Sequence, residues 1–226
     1  MNKLKCLTFC LVVLLCLPLK AAATESACRI AAAPVKTLPG KTIQIPIVIE
    51  ENPGFTNFGI SLEYDKKQLE LKEIQAVGEE GAYLYSTNTD WITSPEGKTL
   101  GYVTAASKEK ITGNVTLFVA SFSVLENFSG TTQIIPQVYY LRCCDETNGF
   151  SDISVMADPI KIIALDKGDI NKDCVIEYDD VIAAYSAAMG ERQLNAEEVE
   201  LADLNGNGNI DLFDAQEIYK IYTGGK

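Results

Sequence analysis

Asp169, Asn171, Asp173, Val175, Glu177 and Asp180 stand at positions 1, 3, 5, 7, 9 and 12 of one twelve-residue stretch. Asp203, Asn205, Asn207, Asn209, Asp211 and Asp214 repeat that spacing 34 residues later. A hard divalent cation such as calcium takes about six to eight oxygen ligands, and a twelve-residue loop with oxygens at these positions wraps them around one point, position 7 offering its backbone carbonyl. The expectation is two calcium ions, with Val175 and Asn209 acting through their carbonyls. Position 12 is aspartate in both copies, one methylene shorter than the usual glutamate. Position 6, where the loop needs a left-handed turn, is Cys174 in the first copy and Gly208 in the second. A side chain there costs about 1–2 kcal/mol, so the first site is expected to be strained or weaker. The second has the fitting glycine but fewer charges. A single Asp/Asn-rich stretch is equally well a solvated turn; two copies in register, each followed by helical spacing, favour ions.

The elements that would position these oxygens follow from periodicity. Val181, Ile182, Tyr185 and Met189, and later Phe213, Glu217, Ile218 and Ile221, have helical spacing. Asn195-Ala196-Glu197-Glu198 has the form of a capping box opening a middle helix that runs to about Ala202. Lys161 to Lys167 is strand-like and then turns, so each loop has a helix after it and none before the first. Upstream the grammar is β. Ile43, Ile45, Ile47 and Ile49 alternate along one face, as do Phe58, Ile60, Leu62 and Tyr64. Thr116 to Val124 is apolar on both faces, which predicts a strand covered on both sides. Turns fall at Glu51-Asn52-Pro53-Gly54, Ser94-Pro95-Glu96-Gly97 and Ser129-Gly130. Short strands over about 135 residues predict a sandwich or jelly roll. The expected organisation is therefore an all-β module over 24–164 and a small all-α module over 165–226, with the boundary around Ala164 to Lys167.

Composition narrows the function classes. The 226 residues carry a formal net charge of −12, which opposes nucleic-acid binding and suits divalent cations. Met1 to Lys5 is basic, Cys6 to Leu19 apolar, and Lys20-Ala21-Ala22-Ala23 small, as in a secretory signal peptide over 1–23. Its removal takes Lys3, Lys5 and Lys20 with it and leaves −15. The apolar run is shorter than the roughly 18 residues of a membrane span, so a secreted protein without membrane insertion is expected. Cys28, Cys143, Cys144 and Cys174 remain in the mature chain. A link from Cys28 to Cys143 or Cys144 and four free thiols are both open, and the absence of CxxC spacing disfavours zinc. There is no histidine, which removes the Ser-His-Asp and Cys-His triads.

The C-terminal segment from Gly168 to Tyr222, with GDINKDCVIEYDD and DLNGNGNIDLFD, resembles a dockerin. In that family the helix that starts inside each loop carries the partner-facing residues. The resemblance implies Tyr178, Asp179, Tyr185 and Ser186 in the first half and Leu212, Phe213, Tyr219 and Lys220 in the second. The two sets differ in character, so one docking face is expected to be preferred. For Tyr185, Phe213 and Tyr219 a place in the core is the competing expectation.

The N-terminal module resembles a cohesin, the family that dockerins bind. The resemblance rests on Pro53 to Asp65, on Leu69-Glu70-Leu71, on Ile111 to Val115, and on Leu117 with Ala120 to Val124. It implies a nine-stranded jelly roll presenting one flat sheet face. Asn57 fits a polar position commonly used there, and Ser61 and Glu63 point outward by alternation. Gly59 departs from the aspartate often found two residues after that asparagine, so specificity should differ. Tyr83, Tyr85, Tyr102 and Thr104 are weaker candidates. The expected protein is a non-catalytic adaptor scaffoldin of a cellulosome-type complex. Its cohesin receives a dockerin-bearing protein, and its dockerin docks into a cohesin of a larger scaffold, outside the cell and at a surface only through a partner. Self-association is not expected. Two rival readings are a dockerin-delivered carbohydrate-binding module with a Trp91, Tyr83 and Tyr85 platform, and a small glycoside hydrolase using Glu63, Asp65 and Asp90.

Overall fold

A computed structural model describes residues 28–77, 83–93, 98–145 and 149–224. The signal-peptide expectation over 1–23 lies outside them, as do the side chains of Tyr83, Tyr85, Asp90 and Trp91. Two strands open the described residues, β1 (Cys28–Ala31) and β2 (Val35–Thr37). They are followed by β3 (Thr42–Glu50), β4 (Phe55–Asp65), β5 (Leu69–Ala76), β6 (Tyr83–Thr93), β7 (Lys98–Ile111), β8 (Val115–Val124) and β9 (Thr131–Asp145). The short strands β10 (Gly149–Asp152), β11 (Val155–Ala157) and β12 (Ile160–Ala164) close the module.

These strands form two sheets. One has five strands in the order β11-β1-β3-β8-β5; the other has seven, β2-β12-β9-β4-β7-β6 with β10 paired to β9. The described residues thus hold twelve strands where nine were expected. The first and last strands of the module are each cut in two. Pro34 separates β1 from β2, and Pro159 separates β11 from β12, and in each case the two halves join different sheets. Proline cannot donate to a ladder, so the chain leaves one sheet there and enters the other.

The alternating isoleucines of β3 and the Phe58, Ile60, Leu62 and Tyr64 face of β4 are all buried. The β4 face meets β8 across the sandwich in aromatic contacts: Phe58 stacks on Phe118 at 6.4 Å and Tyr64 meets Phe122 edge-on at 5.1 Å. In strand β8, expected to be covered on both sides, Ser121 is buried and Val119 and Ser123 are half-buried on the face away from the core, and one apolar pair is accounted for without such cover. The register of β8 against β3 shifts between Ile47 and Val48, and Leu117 falls at the shift. The β-bulge turns both Leu117 and Phe118 into the core, so two consecutive apolar residues need no second layer.

Three helices follow: α1 (Tyr178–Ala188), α2 (Ala196–Ala202) and α3 (Leu212–Tyr222). The expected middle helix is present. Asn195 accepts from the Glu198 amide while the Glu198 carboxylate accepts from the Asn195 amide. The predicted apolar stripes are mostly not the buried ones. The small core consists of Ile170, Val181, Ala183, Ala184, Ala202, Ala215 and Ile218. Ile182, Tyr185, Met189, Phe213 and Ile221 are exposed. Alanines let α1 and α3 pack closely, and the large side chains are left on the outer flanks. No helix of the described residues is long and apolar enough to cross a membrane. Among the described residues Cys28, Cys143, Cys144 and Cys174 are free thiols, with Cys28 on β1 and Cys143 and Cys144 on β9 of the other sheet. A Cys28 link to either is therefore not formed.

Candidate functional site

The two loops have the same hydrogen-bond skeleton. In the first, the Asp169 carboxylate accepts from the amides of Asp173 and Cys174, and Asn171 and Asp173 accept from the amides two residues on. Asp180 accepts from Ile170, Asn171 and Glu177. In the second, Asp203 accepts from Gly206, Asn207 and Gly208, Asn205 and Asn207 repeat the two-residue pattern, and Asp214 accepts from Leu204, Asn205 and Asp211. Positions 4 and 6 have positive φ in both copies: Lys172 at 62° and Cys174 at 77°, Gly206 at 73° and Gly208 at 81°. Glycine serves both positions in the second loop. The first holds two side chains in a conformation that L-residues adopt at a cost.

Asp169, Asp180, Asp203 and Asp214 are buried. Burial pushes the Asp169 carboxyl above the ordinary range, with the nearby Asp180 charge adding to it against the amide bonds. Asp203 is held below that range, first by the Gly208 amide and then by the other loop amides and Lys167. Asp173, Glu177, Asn171, Asn205, Asn207, Asn209, Asp211 and Val175 are exposed. Among the described residues no three His, Cys, Asp or Glu side chains converge on a point; the buried carboxylates are turned onto backbone amides.

Helices α1 and α3 lie side by side and enclose a groove of about 410 Å³, lined by Tyr178, Val181, Ile182, Tyr185, Leu212, Ala215, Gln216 and Tyr219. Tyr222 stands against both Tyr178 and Tyr219 at 6.2 and 6.3 Å. Of the expected docking residues, Tyr178, Tyr185, Leu212 and Tyr219 therefore share one groove. Asp179, Phe213 and Lys220 are exposed outside it and Ser186 is half-buried. A core place for Tyr185, Phe213 or Tyr219 is excluded by their exposures of 49%, 52% and 48%.

On the sandwich, the outer face of the seven-stranded sheet centres on β4, which pairs with β7 on one side and β9 on the other. Asn57, Gly59, Ser61 and Glu63 share this face. Ser61, expected to be exposed, is fully buried. The register of β9 shifts opposite Gly59 and Ile60, leaving Tyr139 as the extra residue between Val138 and Tyr140. Tyr139 lies edge-on to Tyr102 at 5.8 Å, and its hydroxyl stands 3.5 Å from that of Ser61. Large rings on both neighbouring strands thus cover a small side chain on the central one. Gly59 has its own reason: a Cβ there would meet the Tyr140 ring at 2.5 Å and the Tyr102 hydroxyl at 2.9 Å. Tyr140 exchanges a 2.5 Å hydrogen bond with Thr104 and lies under the Arg142 guanidinium. Burial, then the Tyr140 contact, pushes the Tyr102 phenol upward. Asn57 is half-buried, and its side-chain oxygen is buried without a hydrogen-bond partner. Sequence reasoning passed over Tyr139, Tyr140 and Arg142. The run Tyr139-Tyr140 was the available signal, since two adjacent aromatics face the same way only at a bulge.

Comparison with known proteins bears on the sandwich. The cohesin domain family model matches residues 30–141. A non-cellulosomal cohesin from the hyperthermophilic archaeon Archaeoglobus fulgidus superposes with a TM-score of 0.51 at 17% identity, covering 62% of this chain and 92% of that one. A chain from the CaDoc0917–CaCohA2 complex superposes at 0.50 and 19% identity, covering 61% and 99%; CaCohA2 is from Clostridium acetobutylicum. The seventh ScaB type I cohesin of Pseudobacteroides cellulosolvens gives 0.49 at 18%, covering 61% and 92%. Comparison with curated proteins gives no match. The β module is an all-β sandwich of cohesin-like fold, and residues 30–141 carry in it the sequence pattern of a cohesin domain.

Proposed function

We propose that this protein is a secreted, non-catalytic adaptor with one docking site of each kind. The outer face around β4 receives a dockerin-bearing protein. The helical module takes up two calcium ions and docks through the α1/α3 groove into a cohesin of another scaffold, joining an extracellular polysaccharide-degrading assembly. Cohesin domains are non-catalytic protein-interaction modules, and the superposed chain from Clostridium acetobutylicum comes from a CaDoc0917–CaCohA2 complex.

The observation that carries the helical half is the duplication of the loop skeleton, down to the left-handed backbone at positions 4 and 6. The types of residue in the loops fit calcium, although the buried carboxylates are here turned onto amides. The donor set is entirely hard oxygen, and two aspartates in each loop are buried away from water. A bound divalent ion supplies the positive charge that these buried carboxylates lack, and its binding energy becomes folding and docking energy. Asp180 and Asp214 tie the start of each loop to the first turn of the following helix, so ordering a loop also sets the helix that lines the groove.

The test is calorimetry and light scattering of the full chain with panels of dockerins and cohesins, in calcium and in chelator. The expected result is a 1:1:1 complex containing one partner of each kind, with the cohesin partner lost in chelator and the chain alone remaining monomeric. Binding to only one kind of partner, or cohesin binding that survives chelation, overturns the adaptor reading.

A further inference from the structure

The two loops share a skeleton but not their surroundings. The last strand, β12, ends at Ala164, and only Leu165 to Gly168 separate it from Asp169, the first residue of the first loop. This short strap is fixed at both ends. The Leu165 amide donates to the Thr37 carbonyl of β2 at 2.8 Å, and Leu165 is buried. The Gly168 amide donates to the Leu201 carbonyl of α2, and the Lys167 amine donates to the Asp203 carbonyl, both at 2.8 Å. The first loop is thereby held against the edge of the sandwich. There the Lys36 amine of β2 donates to the Lys172 carbonyl at 2.5 Å. Lys172 is the left-handed residue at position 4, and its own amine pairs with Glu197 of α2. A second ion pair, Lys41 with Glu200, spans the same junction. A cleft of about 610 Å³ lined by Lys36, Lys41, Lys172, Glu197 and Glu200 lies between the modules. Gly206, at position 4 of the second loop, has nothing within 4 Å of where a Cβ would sit.

From this contrast we infer that Lys36 of the sandwich is a positioning residue for the first loop. It clamps the strained Lys172 peptide, so that the conformation of the first loop, and with it the affinity for its ion, depends on the packing of the two modules, while the second loop meets the strap only at Asp203, through Lys167, and has no lysine of the sandwich on its position-4 peptide. The part concerning affinity rests on the calcium reading; the clamp itself does not. A cation donating to a carbonyl is a charge-assisted bond. Its loss at an exposed site corresponds to about a three- to tenfold weakening.

The test uses the full chain. In metal-free protein, amide hydrogen exchange of Asp173 to Val175 should speed up in Lys36→Ala, while Asn207 to Asn209 stays unchanged and Lys36→Arg restores the original rate. Lys161→Ala, an exposed lysine of β12, should have no effect. Calcium calorimetry in an Asp203→Ala background reads the first loop and should show about a three- to tenfold loss on adding Lys36→Ala. An Asp169→Ala background reads the second loop and should show none. Equal acceleration in the two loops, or no change in either, refutes the clamp. Chain that takes up no calcium while the first loop alone loosens refutes the ion reading and leaves the clamp standing.

Discussion

Replacing Cys174 by glycine isolates the cost of the first loop's backbone. Cys174 has φ 77°, and its counterpart Gly208 has φ 81°. A side chain in the left-handed region costs about 1–2 kcal/mol. Glycine returns about 0.4–1 kcal/mol of that by making the unfolded chain freer. The middle of these ranges gives a net gain for Cys174→Gly of about 0.8 kcal/mol, which corresponds to roughly 3–6 °C in the melting temperature of a module this small. The assay is differential scanning calorimetry of the metal-free full chain beside Cys174→Ala and Gly208→Cys. Cys174→Ala keeps a Cβ and should gain nothing. A Cβ at Gly208 has open space, so Gly208→Cys should lose stability through φ alone. If Cys174→Gly melts no higher than Cys174→Ala, backbone strain is not what distinguishes the two loops.

The sandwich core should respond as a packed interior: Phe58→Ala removes a fully buried ring stacked on Phe118 and should cost about 3–5 kcal/mol in denaturant unfolding. Gly59→Asp forces its Cβ into the Tyr140 ring; overpacking should cost about 1–3 kcal/mol, and tyrosine fluorescence should report displaced rings. Acidification should separate the metal-free loops, as residue-resolved hydrogen exchange can show. Asp203 has a depressed carboxyl, so its contribution is present above the unfolded carboxylate range and is lost as pH falls through the lower folded value. Asp169 has a raised one, so its contribution is complete below the unfolded range and is lost as pH rises through the higher folded value. Asp180→Ala strips the acceptor from three amides and should unfold the first loop, seen as lost protection of Ile170 and Asn171.

How much was legible beforehand differs between the modules. Alternation located the core of β3 and β4, because a side-chain period of two leaves one face no alternative to burial. The loop duplication was legible because local Asp and Asn side chains bond amides only a few residues away in the chain. The helical stripes were misleading, since a helix with alanines on one side can bury that side and expose its large residues.

What the chain's order of residues determined by itself is thus local: strand faces, turns, the capping box of α2, and two loops with one spacing. Which strands flank β4 depended on pairing between residues far apart in sequence. That pairing, with the bulge at Tyr139, decided that Ser61 is covered and that Gly59 must lack a side chain. The seating of the first loop on β2 likewise joins Lys36 to Lys172 across 136 residues. Periodicity carries no information about such a contact, because it exists only where two distinct cores are brought together.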